Sequence, residues 1–228
     1  EAKDKSEKVV IFRQLEIKNL TDYPKLVEEM ESFLDDLSNE DFLDIASKFE
    51  LKNQKERLLD IVINDKEGRS IQMAATSFIK FYGMTEVRKL CRSNDLTSAK
   101  KSTERFGAVD SKEMTNLLIE LFQDKKLDLE LRKEAMIAMN GWESESKLWE
   151  LIKANKVPED VMDIARNHMM NTWHQDIRAM ASDYFGKDEA SNIDAKKLLA
   201  LNGDVAAGAE TFQTLCSSCH MVNGKGVD

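Results

Sequence analysis

Three residues near the end of the sequence have the types and spacing to do chemistry together. They are Cys216, Cys219 and His220, in the run Cys216-Ser217-Ser218-Cys219-His220. A C-x-x-C-H sequence reads as a site of c-type haem attachment. Two thiols must reach the two vinyl groups on one edge of a porphyrin to form thioethers. The adjacent imidazole must then rise beneath the iron as its proximal ligand. All three residues are therefore the candidate cofactor-binding set, His220 is the candidate metal ligand, and no catalytic residue is assigned. Other readings of the same side chains stay open. A structural zinc site needs four ligands, so His168 or His174 would have to complete it. A thioredoxin-like redox pair wants a β-α-β setting, which this sequence lacks. A disulfide between Cys216 and Cys219 would be incidental to function.

The residues around the motif must deliver it. Gly208, Phe212, Cys216 and Cys219 fall at i, i+4, i+8 and i+11, the spacing of one helix face. Such a helix presents the cysteines while Gly208 and Phe212 pack against another segment. Beyond it, Asn223-Gly224-Lys225-Gly226 predicts a Gly-rich loop.

The run from Gly208 through Phe212 to Cys216, Cys219 and His220 resembles the opening helix and haem-binding motif of a class I cytochrome c domain. Asn202-Gly203-Asp204 is similar to its usual lead-in. Helical repeats leading into such a start resemble large bacterial haem-binding proteins of the membrane-bound dehydrogenase type. In these a β-propeller or related module precedes HEAT-like repeats and a C-terminal cytochrome c. The specific motif covers residues 203–228, and the remainder of the resemblance rests on architecture. It implies covalent haem c, single-electron transfer with a redox partner, neighbouring modules of the parent chain as partners, and a periplasmic or exported location. Only eight residues follow His220, so the family's distal Met and closing helix would lie beyond Asp228. Met221 adjoins the proximal His and cannot swing to the opposite face. The sequence thus reads as truncated inside its second domain, and this chain alone is expected to hold no native haem.

The elements upstream are helical by their periodicity. Tyr23, Leu26, Val27, Met30, Phe33, Leu34 and Leu37 follow the i, i+3, i+4, i+7 rule, with Thr21 or Asp22 as a cap and Pro24 in the first turn. Similar stripes run over 42–49, 58–63, 71–82, 114–122, 131–139, 148–152, 161–170, 177–185 and 193–201. The last ends at Asn202-Gly203, a candidate left-handed cap. Before them, Val9, Val10, Ile11 and Phe12 with Leu15 and Ile17 form a β-branched cluster that suits either a short strand or a helix. Met139-Asn140-Gly141-Trp142 is echoed by Met170-Asn171-Thr172-Trp173 at an offset of 31 residues, and Gly83, Gly107, Gly141 and Gly186 fall where helices should end. Helix pairs repeating at this period are the mark of an α-solenoid. The run Leu129 to Ala135 resembles the first helix of a HEAT-like repeat; the tetratricopeptide pattern is not matched. The expected fold is all-α: a HEAT-like solenoid of antiparallel helix pairs, then the first helix of a truncated cytochrome c. Its domains are a charged segment 1–20 of open structure, repeats over 21–202, and the cytochrome start at 203–228.

Composition agrees and excludes several classes. The 228 residues contain only 2 Pro and 9 Gly, too few for a turn-rich β architecture. The net charge of −9 argues against nucleic acid, which needs a Lys and Arg surplus. No apolar run is long enough to span a bilayer. The chain begins at Glu1 rather than Met and reads as a mature or excised segment. Charge is uneven: the last 26 residues hold 4 of the 75 charged side chains but 2 of the 3 Cys. Residues 28–47 carry eight acidic side chains and no basic one, on a solvated face or as a docking patch for a basic partner. Cys91, Met162, Met169, Met170, Met180 and the aromatic residues read as core, and His168 and His174 as surface or helix-end residues. Two further functions compete with the redox scaffold. One is a protein–protein interaction solenoid with a protein ligand on its helical array; the other is an enzyme of the HEAT-like bilin-lyase kind, for which no catalytic set is present.

Overall fold

The apolar stripes become helices that bury those same stripes. The computed structural model describes residues 2–17, 20–190, 200, 202–217, 220–224 and 226. Among the described residues the fold is all-helical, with no strand. In chain order the helices are α1 (Ala2–Gln14), α2 (Pro24–Leu34), α3 (Asn39–Lys48), α4 (Lys55–Asn64), α5 (Gly68–Cys91), α6 (Leu96–Gly107), α7 (Lys112–Gln123), α8 (Leu129–Ile137), α9 (Trp142–Lys153), α10 (Glu159–Asn171), α11 (Gln175–Ala190) and α12 (Val205–Thr211). A 3-10 turn (Leu20–Asp22) precedes α2, and a π-helical turn (Phe212–Cys216) continues α12. The chain divides into two compact units, Glu1–Ser182 and Asp183–Asp228.

Helix ends follow local chemistry. Ser38, Asp95, Ser111 and Asp128 each accept a hydrogen bond from an amide of the first turn that follows, at 2.8 to 3.2 Å, which satisfies an otherwise orphaned N–H. Pro24 opens α2 as expected, but the cap is Tyr23, without a side-chain bond, because Asp22 is taken up in the 3-10 turn. Gly83 breaks α5: at φ 78° and ψ 167° it adopts a backbone that side chains with a Cβ rarely reach. Gly107 ends α6 and Gly141 caps α9. Gly186 lies inside α11, and Gly203 does not take the left-handed conformation. The stripe at 193–201 lies outside the described residues, Ala200 apart.

The open N-terminal segment is a helix. Val9 and Phe12 of α1 are buried, with Phe12 against Phe33 at a ring separation of 5.8 Å. This tertiary contact overrides the weak helix preference of β-branched residues. The acidic stretch is partly paired within the chain: Arg13 of α1 bonds Asp41 at 2.8 Å and Asp44 at 2.6 Å.

Deeper in, Phe42, Phe78, Phe106 and Phe122 are fully buried, and Phe78 meets Phe106 at 5.3 Å. From α4 to α8 each helix packs on the one that follows it, as α9 does on α10, and next-but-one contacts join α4 to α6, α6 to α8, α8 to α10, α5 to α7 and α7 to α9. Polar ties follow the same spacing. Lys55 bonds Glu86, Tyr82 bonds the Lys52 carbonyl, Arg88 bonds Glu120, Arg92 bonds Asp124, Gln123 bonds the Lys156 carbonyl and Arg132 bonds Asp160. Every one of these joins residues 28 to 33 positions apart. Not all residues read as core are buried: Met169 and Cys91 are, Met162 and Met170 are half-buried, while Met180, Trp142 and Trp173 are exposed. No helix among the described residues is long and apolar enough to cross a membrane.

The charged ties set an acid limit. Hydrogen bonds from Lys55 and Lys89 bring the Glu86 carboxyl down from its ordinary 4.5 to about 2, and those from Arg92 and Arg132 lower Asp124 and Asp160. A carboxylate lowered on folding contributes stability above its unfolded value and loses it as pH falls through its folded value. Melting temperature should therefore hold from neutral pH to about 4.5 and fall steadily toward about pH 2. Because the pairs of Glu86 and Asp124 are solvent-accessible, unlike the buried guanidinium of Arg132, molar salt should flatten that slope; thermal melts across pH at two salt concentrations check both expectations.

Candidate functional site

The C-terminal motif is built on α12. Asp204 starts this helix, its Oδ1 accepting from the amides of Ala206 and Ala207 at 2.9 and 3.0 Å. The hydroxyls of Thr211, Thr214 and Ser217 turn back to carbonyls four residues earlier, an interaction that bends helices. There the α-helical register gives way to a π turn, closed by the Ser217 amide donating to the Phe212 carbonyl at 2.9 Å. Phe212 and Cys216 are half-buried while residues 205–211 and 213–215 are exposed, so the two share a face. Among the described residues nothing lies within 4 Å of a Cβ placed on Gly208, so the packing expected of it is not seen there.

Past the π turn the chain closes on itself. The His220 amide donates to the Cys216 carbonyl at 2.9 Å, placing the imidazole one turn beyond the thiol. Asn223, Gly224 and Gly226 have φ of 51°, 74° and 107° and form the predicted loop. This loop folds back so closely that a Cβ on Gly226 would collide with the His220 carbonyl oxygen. Cys216 is a half-buried free thiol and His220 is exposed; Cys219 lies outside the described residues. The donor chemistry fits a c-type haem as far as it is described: a thiol and an accessible imidazole one turn apart. Leu215, Met221 and Val222, adjacent in sequence, hold exposed apolar surface.

A second constellation was hidden in the sequence. Glu145 of α9 is 2% exposed. Its Oε2 accepts from the Thr172 hydroxyl at 2.5 Å and from His174 Nδ1 at 2.6 Å. His168 Nε2 lies 3.5 Å from Oε1 and donates to the Met139 carbonyl at 2.8 Å. The bond at Nδ1 fixes the His174 tautomer and leaves Nε2 unprotonated in the neutral ring. The His174 ring in turn meets Trp142 nearly edge-on, with centroids 5.2 Å apart. His168 and His174 are thus joined through a buried carboxylate that ties α9 to the end of α10 and the start of α11. Some of this was signalled in the sequence, since both histidines flank the second copy of the echoed turn. Glu145, inside a charged run, gave no sign of burial. Cys91 is the inert thiol expected, fully buried, with burial pushing its pKa up to about 11.

Comparison with known protein families, curated protein sequences and solved structures returns no match to this chain.

Two substitutions test these geometries. Glu145→Ala removes the acceptor of a buried hydroxyl and of His174, and should lower stability by about 3 kcal/mol, or about 6–12 °C in melting temperature. Gly226→Ala should open the C-terminal loop, raising the hydrogen-exchange rate of the His220 amide by about tenfold or more and leaving the melting of residues 1–182 unchanged.

Proposed function

We propose that residues 203–228 begin a covalent haem c module, carried on a HEAT-like helical solenoid of antiparallel pairs in an exported redox protein. The observation that carries this reading is the turn that sets the His220 imidazole one helical turn after the Cys216 thiol. Haem c, when bound, supplies a one-electron couple. The role of the chain itself is to anchor the porphyrin edge through Cys216 and Cys219 and to offer His220 as the axial donor. Its exposed Leu215, Met221 and Val222 would cover apolar ring surface. The solenoid reading draws on helices that pack next but one and on polar ties spaced 28 to 33 residues apart, matching the 31-residue echo. Covalent attachment would go with export, and the resemblance to large bacterial haem-binding proteins adds neighbouring modules in the parent chain and a redox partner.

A second reading, a solenoid serving protein–protein interaction alone, is favoured by one observation: Trp173 is 95% exposed, and tryptophan in water is a common anchor of interfaces.

The test is expression of the complete gene with export and haem maturation, followed by a pyridine haemochrome spectrum of the denatured protein. Covalent haem should be found, and Cys216→Ala/Cys219→Ala should abolish it. His220→Ala should alter the native absorption spectrum through loss of the axial donor. A product without covalent haem, or one that retains it without both cysteines, would leave the interaction reading.

A further inference from the structure

Three asparagines in the chain are followed by glycine: Asn140-Gly141, Asn202-Gly203 and Asn223-Gly224. Asparagine is thermolabile, and most so before glycine, whose backbone nitrogen has no Cβ beside it to hinder attack on the asparagine side chain. All three asparagines are exposed, so access to water does not separate them. What separates them is the bonding and conformation of the backbone between the two residues.

At the first step the glycine nitrogen is held. Gly141 caps α9: its N–H donates to Ser144 Oγ at 3.0 Å, and its carbonyl accepts from the Glu145 amide at 2.9 Å. The Asp110 carboxyl packs so closely on Gly141 that a Cβ there would collide with it. Freeing this nitrogen means opening the first turn of α9. At the third step the conformation is wrong. Asn223 is left-handed at φ 51°, followed by Gly224 at φ 74°. A left-handed residue places the next peptide nitrogen nearly anti to its own Cβ, so the side chain and that nitrogen point apart. Rotating them together would break the loop folded on His220.

The second step has neither restraint. Asn202 is not left-handed. Among the described residues the Gly203 amide donates no hydrogen bond, and nothing lies within 4 Å of a Cβ placed on Gly203.

We propose that Asn202 is a site of spontaneous deamidation and isoaspartate formation, while the fold protects Asn140 and Asn223. The Gly203 nitrogen gives its proton to hydroxide and attacks Asn202 Cγ. A new N–C bond forms, the bond from Cγ to the side-chain nitrogen breaks, and ammonia leaves with a proton from water. Water then opens the five-membered imide. Opening at the Cα carbonyl leaves the chain running through Cγ, with an extra main-chain carbon and a free carboxylate; opening at Cγ leaves aspartate. Either product puts a negative charge where a neutral amide stood, just before Asp204, whose Oδ1 caps α12. The isoaspartyl carboxylate is a substrate for enzymes that esterify it with the methyl group of S-adenosylmethionine, and that is the class of partner this site takes. The inference is independent of the haem reading, because it uses no residue of the Cys216 to His220 motif.

The full chain would be aged at mildly alkaline pH and each step followed by peptide mass spectrometry. Methyl incorporation by a purified isoaspartyl methyltransferase would be measured on the same samples. In the folded chain Asn202 should convert about tenfold or more faster than Asn140 or Asn223, each of which must first open locally. In urea the three rates should come within about threefold of one another, because the backbone restraints are gone. Ser144→Ala, with its melting still cooperative, should raise the Asn140 rate several-fold by freeing the Gly141 amide. The proposal is overturned if Asn202 converts no faster than the other two in the folded chain, or if the three differ as widely in urea. Should Ser144→Ala fail to fold, the comparison of folded and urea-unfolded parent chain still decides.

Discussion

A helix with one apolar stripe cannot bury that stripe alone, and the structure of residues 1–182 follows from this constraint. The helices here are mostly 9 to 13 residues long, near or below the length at which an isolated helix is marginal in water. Their stability must come from packing, and each supplies the surface its neighbours need. Contacts run to the following helix, as from α4 to α5 and α7 to α8, and to the next but one, as from α6 to α8 and α8 to α10. Phe78 illustrates the sharing of one side chain between helices: it is fully buried, and it packs on Phe106 of the following helix and on Tyr82 of its own. A stripe removed from one helix would therefore expose two others.

Polar ties add register to this packing. Hydrophobic contact alone is tolerant of sliding along a helix, whereas a hydrogen bond to a particular carbonyl is not. Arg132 shows the difference. Its side chain is only 3% exposed; its Nε bonds the Phe122 carbonyl at the end of α7 and its Nη2 bonds Asp160 at the start of α10. One guanidinium thus fixes three helices relative to each other. Glu145 has the corresponding role in the next helix, with Thr172 and His174 as its donors. Burying a charge is costly unless it is fully bonded, so these two positions constrain their neighbours more than any exposed ion pair does.

Much of the fold was legible because it depends on period and caps. The stripes around Phe42, Leu58, Leu117, Leu148 and Val161 all lie in helices, and the helical period placed them within a few residues. Helix α6 was harder to see: its inner face includes Ser102 and Thr103, so its stripe is small and polar rather than apolar. Glu145 and Arg132 were illegible for a related reason. A charged residue in a charged run looks solvated, and only tertiary contacts with Thr172 or Phe122 reveal otherwise. At the C terminus the motif was plain in the residue types, yet its backbone was not. The π turn at Phe212–Cys216 accompanies side-chain bonds that no periodicity records, and Gly208 meets no partner among the described residues.

The tail obeys different physics from the helices before it. Among its described residues from Asn202 to Gly226 none is buried, so local bonds must supply the order that packing supplies elsewhere. They are the Asp204 cap, the three returned hydroxyls, the π turn and the loop folded against His220. Such a segment keeps its backbone shape while leaving apolar side chains in water: Val205 is 86% exposed and Leu215 72%. Exposed apolar groups on a locally fixed backbone are preorganised for a partner, since the ordering cost has already been met. A covalent haem would give them one, and it would also account for why a thiol and an imidazole should be held one turn apart. An interaction-only reading explains the exposed tryptophan of the first unit but leaves the arrangement of Cys216 and His220 without a cause. The proposed haem module thus assigns one role to the exposed apolar side chains and to the turn that joins Cys216 and His220.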